Sequence, residues 1–230
     1  MNLNHTTEDY LKNIYLLQAQ YPQVPTTALA GRLGVSAPSV TSMVRKLARQ
    51  GLLEHERYRG VRLTTRGEAL ALKVLRAHRL WELYLVKVLD LSWDQAHVEA
   101  ERLEHALSDE LAERLDQVLD HPTADPHGHP IPTRNGRMPA PTGTPLTGLS
   151  PGERGTVLQI RDDTPELLRY LGEAGLYPGE SIAILKMAPF NGPIHLRVGK
   201  AVQILGREAA GHVIVEKQTR GSERKVEKGE

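Results

Sequence analysis

The chain contains no cysteine among its 230 residues. It can therefore form no disulfide bond and offers no thiolate to a metal ion, which fits a reducing cytoplasm. No stretch approaches the roughly 18 apolar residues of a membrane span. At the N-terminus, Glu8, Asp9 and Lys12 interrupt any apolar core of a signal peptide. We therefore expect a soluble, cytoplasmic protein with no membrane partner.

The chain also lacks an excess of one charge, since its formal net charge at pH 7 is +1. Overall charge gives no sign of a nucleic-acid partner, so any DNA-binding surface must be a local patch. Hydrophobic residues make up 40% and charged residues 25% of the sequence, as in ordinary globular proteins. The length predicts more than one domain.

The N-terminal part has the pattern of a helix-turn-helix. Apolar residues at helical spacing predict a first helix over residues 6–20. A short helix over residues 27–33 follows, then a turn at Gly34 and a second helix opened by Ser36 with Pro38 in its first turn. Two short helices around a glycine turn form this motif.

A hairpin and a long helical region come next. The stretch "LLEHERYRGVRLTTRG" predicts two strands joined by a turn at Arg59–Gly60, which would be a basic wing. Residues 65–120 are rich in Leu, Ala, Glu and Arg and are predicted to be helical almost throughout. A division is expected near Leu91–Ser92.

The composition changes at His121, and eight of the 15 prolines lie between Pro122 and Pro151. That density excludes regular structure and predicts a linker. Beyond it, short apolar strands interrupted by one helix, "TPELLRYLGEAG", predict a small SH3-like β-barrel. The polar tail over residues 218–230 is predicted to be disordered.

The stretch "AHVEAERLEH" in the helical region groups ionisable side chains on one side. His97, Glu101, Glu104 and His105 fall within an arc of roughly 100° on a regular helix. Such a face is often only solvated. It can also bind a metal ion, because imidazole and carboxylate groups are ligands when several converge from rigid elements. Periodicity alone leaves the two interpretations evenly balanced.

Several motifs, taken in order, resemble the diphtheria toxin repressor family of metal-dependent transcriptional regulators. "TTEDYL" is similar to the family's opening motif, "AHRLWE" to its first metal motif and "EAERLEHALSDE" to its second. "DPHGHPIP" resembles the turn that follows the family's dimerisation helices. The resemblance runs from about Thr6 to Lys217, and the shared order and spacing make it specific.

The resemblance implies a mainly α-helical chain with a small β domain. The implied parts are a winged helix-turn-helix DNA-binding domain over residues 1–72, a helical dimerisation and metal-binding domain over 73–140, a Pro-rich linker over 141–149 and an SH3-like domain over 150–217.

The resemblance also implies two metal sites. The primary, activating site would consist of Asp9, Glu101, Glu104 and His105. The ancillary site would consist of His78, Glu82 and His97, with Asp163 and Glu166 as further donors from the C-terminal domain. The proline-rich segment's own histidines, His121, His127 and His129, are expected to form a structural turn instead.

The resemblance also bears on the identity of the metal. Iron-type members have a methionine and a cysteine where this chain has Asp9 and Glu101, and hard carboxylate oxygens suit Mn²⁺. We therefore expect Mn²⁺ as the cofactor, with Fe²⁺ or another divalent transition metal as the alternative. Manganese-type members can carry a further glutamate where this chain has Lys12. A charged lysine cannot be a ligand, which argues against a closely spaced two-manganese cluster.

The predicted DNA interface combines the second helix of the motif, which lies in the major groove, with the wing. Its candidates are Ser36, Pro38, Ser39, Thr41, Ser42, Lys46, Arg49, Arg57, Arg59 and Arg62. The small side chains that start the helix lack the Arg–guanine and Asn–adenine pairs of direct readout. Recognition is therefore expected to depend on thymine methyl groups and DNA shape.

These observations predict a manganese-dependent repressor of metal-uptake and homeostasis genes, and not an enzyme. A homodimer, joined through Trp81, Leu85, Leu89 and Trp93, would bind a palindromic operator in double-stranded DNA. An iron-dependent regulator of the same family is the first alternative. A metallohydrolase and a winged-helix regulator of an organic ligand are the others, and the first of these lacks a separate general-base motif.

Overall fold

The computed structural model describes residues 4–56, 59–140, 142–161 and 164–218. The chain forms two compact units, each assembled from segments that are distant in sequence. The first unit contains Met1–Trp81, Glu101–Val118 and Ile131–Pro139, and the second contains Glu82–Ala100, Leu119–Pro130 and Ala140–Glu230. No described helix is long and apolar enough to cross a membrane.

The first unit begins with the predicted helix-turn-helix and wing. Its elements are α1 (His5–Leu17), α2 (Thr26–Leu33), α3 (Ala37–Arg49) and the antiparallel hairpin of β1 (Leu53–Glu56) and β2 (Gly60–Leu63). Gly34 ends α2 at a φ of 64°, a left-handed conformation that glycine adopts without steric cost. Ser36 caps α3 by accepting a hydrogen bond from the backbone amide of Ser39. Buried apolar side chains from these elements form one core, so the motif prediction is confirmed.

The long helical region divides as the sequence predicted, but it ends differently. Helix α4 spans Thr65–Lys87, α5 spans Trp93–Leu103 and α6 spans Asp109–Val118. Residues Glu104–Ala106 form a 3-10 turn instead of continuing α5. A 3-10 turn advances side chains by about 120° per residue, against about 100° in an α-helix. The prediction of one continuous helical face from His97 to His105 was therefore wrong at its C-terminal end.

The first part of the proline-rich segment is an ordered turn. The Asp125 side chain accepts hydrogen bonds from the backbone amides of His127 (2.8 Å) and His129 (2.9 Å). Ala124 and Pro130 form an isolated β-bridge across the turn. Aspartate commonly closes turns by bonding to the backbone two residues on. The expected structural turn is confirmed, and it needs no regular helix or strand.

The second unit contains the C-terminal antiparallel sheet. Its strands are β3 (Thr144–Pro145), β4 (Arg154–Ile160), β5 (Ser181–Met187), β6 (Ile194–Val198), β7 (Ala201–Leu205) and β8 (Val213–Lys217), with helices α7 (Pro165–Glu173) and α8 (Arg207–His212). The strand order is β3-β8-β4-β5-β6-β7. Within the described residues β3 and β7 are the two edges, so the sheet does not close into the predicted barrel. Strand β3 has only two residues, and its proline has no N–H to donate.

Trp93 belongs to the core of this second unit. It is 8% exposed and packs edge-on against the rings of His127 and Tyr177, with centroid distances of 4.9 and 4.8 Å. Leu85 is also buried, whereas Leu89 is 52% exposed. The four residues expected at a dimer interface therefore do not form one exposed face. Trp93 is buried within its own chain because its large apolar ring fills the core of the sheet.

Candidate functional site

Glu104 is the centre of a buried cluster of ionisable groups in the first unit. Its side chain is 0% exposed, and its Oε1 lies 2.6 Å from Nζ of Lys12 on α1. Its Oε2 lies 2.6 Å from Nδ1 of His78 on α4. Lys12 Nζ also lies 2.8 Å from Oε1 of Glu101. A carboxylate this deeply buried is unfavourable unless it is paired and hydrogen-bonded, and Glu104 meets both conditions.

His105 lies beside Glu104 and is oriented by the first helix. Its Nδ1 is 2.7 Å from Oε2 of Glu8, and its Nε2 is 3.0 Å from Oδ1 of Asp9 and 3.7 Å from Oε1 of Glu104. Because an ionised carboxylate only accepts hydrogen bonds, Nδ1–H donates to Glu8. Nε2 is then directed at Asp9 and Glu104. Carboxylates orient metal-binding histidines in this way.

Asp9, Glu104 and His105 together fit a divalent metal ion. One ligand atom from each lies within 4.8 Å of the other two. Burial raises the pKa of Asp9 above its ordinary value, His105 and Lys12 oppose the rise, and Glu104 and Glu101 add to it. The cluster therefore favours a further positive charge. A cavity of about 920 Å³, lined by residues that include Glu8, Glu104 and His105, connects it to solvent.

Lys12 holds Glu101, the fourth ligand expected for the primary site. The side chain of Glu101 is 46% exposed, whereas that of Lys12 is 4% exposed. Burial alone would lower the pKa of Lys12, but Glu104 and Glu101 outweigh that effect and keep the pKa above its ordinary value. The ammonium is therefore charged, and it contacts two of the four expected ligands.

A second cluster of ionisable groups lies in the second unit. Glu82 is 1% exposed, and its Oε1 is 2.8 Å from Nδ1 of His97 and 3.8 Å from Nδ1 of His127. Ligand atoms of Asp125, His127 and His129 lie within 4.8 Å of one another. His78, by contrast, contacts Glu104 in the first unit. The structure thus groups Glu82 and His97 with three residues that the sequence analysis did not assign to a metal.

His127 is the most informative member of this cluster. It is 0% exposed, and neither ring nitrogen has a hydrogen-bond partner among the described residues. Burial lowers its pKa below the ordinary value, against the influence of Glu82 and Asp125, so the ring is neutral at physiological pH. An unpaired buried polar group is unfavourable by about 1–3 kcal/mol. A metal ion would satisfy a ring nitrogen, so this donor set also fits a metal.

The additional donors expected from the C-terminal domain are not seen in this cluster. Asp163 lies outside the described residues. Glu166 is exposed on α7 and interacts with Arg169. The alternating Asp125-x-His127-x-His129 pattern was the available sequence signal for the cluster, since donors two residues apart share one side of an extended segment.

The candidate DNA-contacting residues divide by the roles of their side chains. Ser36 caps α3, and the Thr41 hydroxyl donates to the carbonyl of Ala37 at 2.9 Å, so both are engaged within the helix. A surface depression on α3 is lined by Ala37, Pro38, Thr41, Ser42, Arg45 and Arg49. Arg45 was missed in the sequence analysis, although it lies one helical turn from Thr41 and Arg49. Ser39 is exposed and Lys46 is half-buried.

The wing presents two of its three expected arginines in the described residues. Arg59 is 75% exposed and pairs with Glu56 at 3.2 Å, and Arg62 stands opposite Glu54 in the hairpin. Arg57 lies outside the described residues. The exposed pair of Arg59 is weak, since such pairs contribute about 0–1 kcal/mol, so Arg59 can exchange Glu56 for a phosphate.

Comparison with known proteins identifies the family. The model of the iron-dependent repressor N-terminal DNA-binding domain matches residues 2–61, and that of the metal-binding and dimerisation domain matches residues 64–133. The FeoA domain model matches residues 144–217. The chain is 33% identical to the iron-dependent repressor IdeR of Mycobacterium leprae over 94% of this chain and 99% of that protein. The chain belongs to the iron-dependent repressor family.

Other members of the family differ in the metal they are named for. The chain is 32% identical to the diphtheria toxin repressor of Corynebacterium diphtheriae, over 92% of this chain and 88% of that protein. A solved manganese-dependent transcriptional repressor in complex with manganese is 40% identical, with a TM-score of 0.82 over 92% of this chain and all of that chain. This family member is thus a metal-dependent, DNA-binding and dimerising transcriptional repressor with a C-terminal FeoA domain.

The wing provides a test of the DNA interface. Replacing Arg59 with alanine removes one exposed cation, so affinity should fall for specific and non-specific DNA alike. The slope of log affinity against log salt concentration should shrink by about one unit. Titrations of labelled DNA at several salt concentrations measure this slope. Replacement of Arg197, an exposed arginine of β6, is the control and should leave it unchanged. An unaltered slope in the Arg59 variant would place this side chain away from DNA.

Proposed function

We propose that this repressor is activated by manganese and that Asp9, Glu104 and His105 hold the activating ion. The observation that carries the proposal is their convergence around His105 Nε2, with two carboxylates and one imidazole. All are hard or intermediate donors, and the chain has no cysteine. Glu101 is the expected fourth ligand, and His78 positions Glu104 through its Nδ1.

An ancillary site formed by Glu82, His97, Asp125, His127 and His129 is a second part of the proposal. It replaces the trio inferred from the resemblance, because His78 is bound to Glu104. Its main support is the buried His127, whose ring nitrogens are otherwise unpaired. Asp125 has the ionised form that a ligand needs. Although burial alone would raise its pKa, the neighbouring His129 outweighs that effect and lowers it.

The coupling between metal and DNA follows from the elements that carry the ligands. Asp9 and Glu8 lie on α1, which packs in the core of the helix-turn-helix, whereas Glu104 and His105 lie in the segment matched by the dimerisation domain model. A bound ion supplies positive charge that neutralises the carboxylates. Joining α1 to the 3-10 turn would fix the recognition helices of a homodimer at a set spacing, which shifts the population toward the DNA-binding form.

This mechanism places the protein among regulators that silence genes when metal is abundant. A two-fold symmetric dimer reads a palindromic operator in double-stranded DNA. The regulated genes would be those for metal uptake and homeostasis, in the cytoplasm. An iron-responsive repressor is the second candidate, favoured by the 33% identity to an iron-dependent relative.

A gel shift on the protein's own promoter region tests the function. We expect Mn²⁺ to promote a discrete complex at lower concentration than Fe²⁺ or Zn²⁺, with iron handled anaerobically and at a pH above the histidine pKa of about 6.5. Metal-independent binding would overturn metal activation. A stronger response to Fe²⁺ would instead favour the iron-responsive alternative.

Exchange of Asp9 tests the choice of metal. The variant Asp9→Met places a soft thioether among the ligands, so its response to Mn²⁺ should be lost while a response to Fe²⁺ or Co²⁺ persists. Asp9→Asn is the control, because it keeps an oxygen donor of the same size and should retain the wild-type metal order at lower affinity. The measurement is DNA binding as a function of each metal. The same metal order in wild type and Asp9→Met would show that Asp9 does not set selectivity.

A further inference from the structure

Lys12 occupies an unusual position for a lysine. Its ammonium is buried between Glu101 and Glu104, at 2.8 and 2.6 Å, and 96% of its side chain surface is covered, since 4% remains exposed. Lysine is almost never fully buried unless it is paired. Here both partners are residues expected to bind the activating metal.

The shared carboxylate makes Lys12 a competitor of the metal ion. Glu104 Oε1 lies 2.6 Å from Lys12 Nζ and 3.7 Å from His105 Nε2, so the same oxygen faces both the ammonium and the metal-binding group. A positive charge at this distance opposes the entry of a divalent cation, and the buried setting screens the repulsion poorly.

Lys12 also stabilises the cluster when no metal is bound. Glu104 is fully buried and would otherwise depend on His78 alone. Removing one partner of a buried pair leaves an uncompensated charge, which is strongly destabilising. The lysine therefore provides positive charge in the metal-free protein.

We propose that Lys12 is a built-in counter-ion that keeps the metal-free site assembled and weakens Mn²⁺ binding there, which sets the metal concentration at which the repressor responds. This inference rests on the proposed role of Asp9, Glu104 and His105. It concerns the charge of Lys12 and assigns the lysine no role as a ligand.

The variant Lys12→Met separates the charge from the packing, because methionine is an unbranched apolar chain that adapts to the same space. We expect Mn²⁺ to bind the variant at least about tenfold more tightly, as measured by competition with a fluorescent chelator. The melting temperature of the metal-free variant should be lower than that of wild type, and its rise on adding Mn²⁺ should be larger. If the metal-free variant does not fold, Lys12→Gln takes its place, since the amide still donates hydrogen bonds to both carboxylates.

Lys73→Met is the matched control. Lys73 also lines the cavity and pairs with an acid, Asp109, at 2.6 Å, but its side chain is 58% exposed. Solvent screens this charge, so metal affinity should stay at the wild-type value.

Two results overturn the inference: unchanged or weaker Mn²⁺ binding in the Lys12 variant, or equal tightening when Asp9→Ala is added to it. Failure of the proposed function gives a different result. In that case Asp9→Ala alone would leave Mn²⁺ binding and DNA activation intact in a chain that still carries Lys12.

Discussion

Replacing Glu104 with alanine is expected to abolish Mn²⁺-stimulated DNA binding. The substitution removes an expected ligand of the activating ion and also the carboxylate that pairs with Lys12 and His78. Breaking a buried ion pair by removing one partner costs about 3–5 kcal/mol. The loss should therefore appear both in the metal response and in the free energy of unfolding of the metal-free protein.

The variant Glu104→Gln distinguishes the two effects. The amide keeps the shape and hydrogen-bonding capacity of the side chain but not its charge, so less stability should be lost than with alanine. The metal response should still disappear, because a neutral amide is a poor ligand beside a charged lysine. The control is Glu113→Ala on α6, which removes a carboxylate paired with the exposed Arg134 at 3.4 Å.

Measurements on these variants are denaturant unfolding without metal and DNA titration with and without Mn²⁺. The Glu113 variant should behave as wild type in both, since pairs that include an exposed side chain contribute about 0–1 kcal/mol. A Glu104→Gln protein that responds to Mn²⁺ like wild type would falsify the primary-site assignment.

Replacing His127 with leucine is expected to lower the number of bound Mn²⁺ ions per chain by one while DNA activation weakens without vanishing. Leucine has an apolar side chain of similar bulk and no ring nitrogens to leave unpaired. Because an unpaired buried polar group costs about 1–3 kcal/mol, the metal-free variant should be as stable as wild type or more so. The stabilisation that Mn²⁺ adds should shrink.

This pair of signs separates a ligand from a structural histidine. If His127 served only packing, metal content and metal-induced stabilisation would stay at the wild-type level. His121→Leu is the control, since His121 is exposed and lies outside the proposed ligand set. Metal content by atomic absorption and melting curves at a pH above about 6.5, where free imidazole is neutral, provide the readout. An unchanged metal content in the His127 variant would rule out the ancillary site as drawn.

The local elements of this protein follow from short stretches of its sequence. The turn at Gly34, the cap at Ser36 and the break between α4 and α5 depend on backbone freedom, capping groups and periodicity within a few residues. The Asp125 turn is equally local. The ordered motifs at both ends of the helical region were also enough to indicate the family.

The site itself is decided by contacts between distant parts of the chain. Lys12 is 89 residues from Glu101 and 92 from Glu104, and no periodicity reveals that its ammonium lies between them. The 3-10 turn at Glu104 breaks the single helical face that the sequence suggested, and so directs Glu104 and His105 toward α1. The unpaired nitrogens of His127 and the open sheet edge at β3 are likewise visible only after folding. The sequence by itself determined the elements and the donor types. Tertiary packing decided which charges share a buried site, because only burial makes their pairing obligatory.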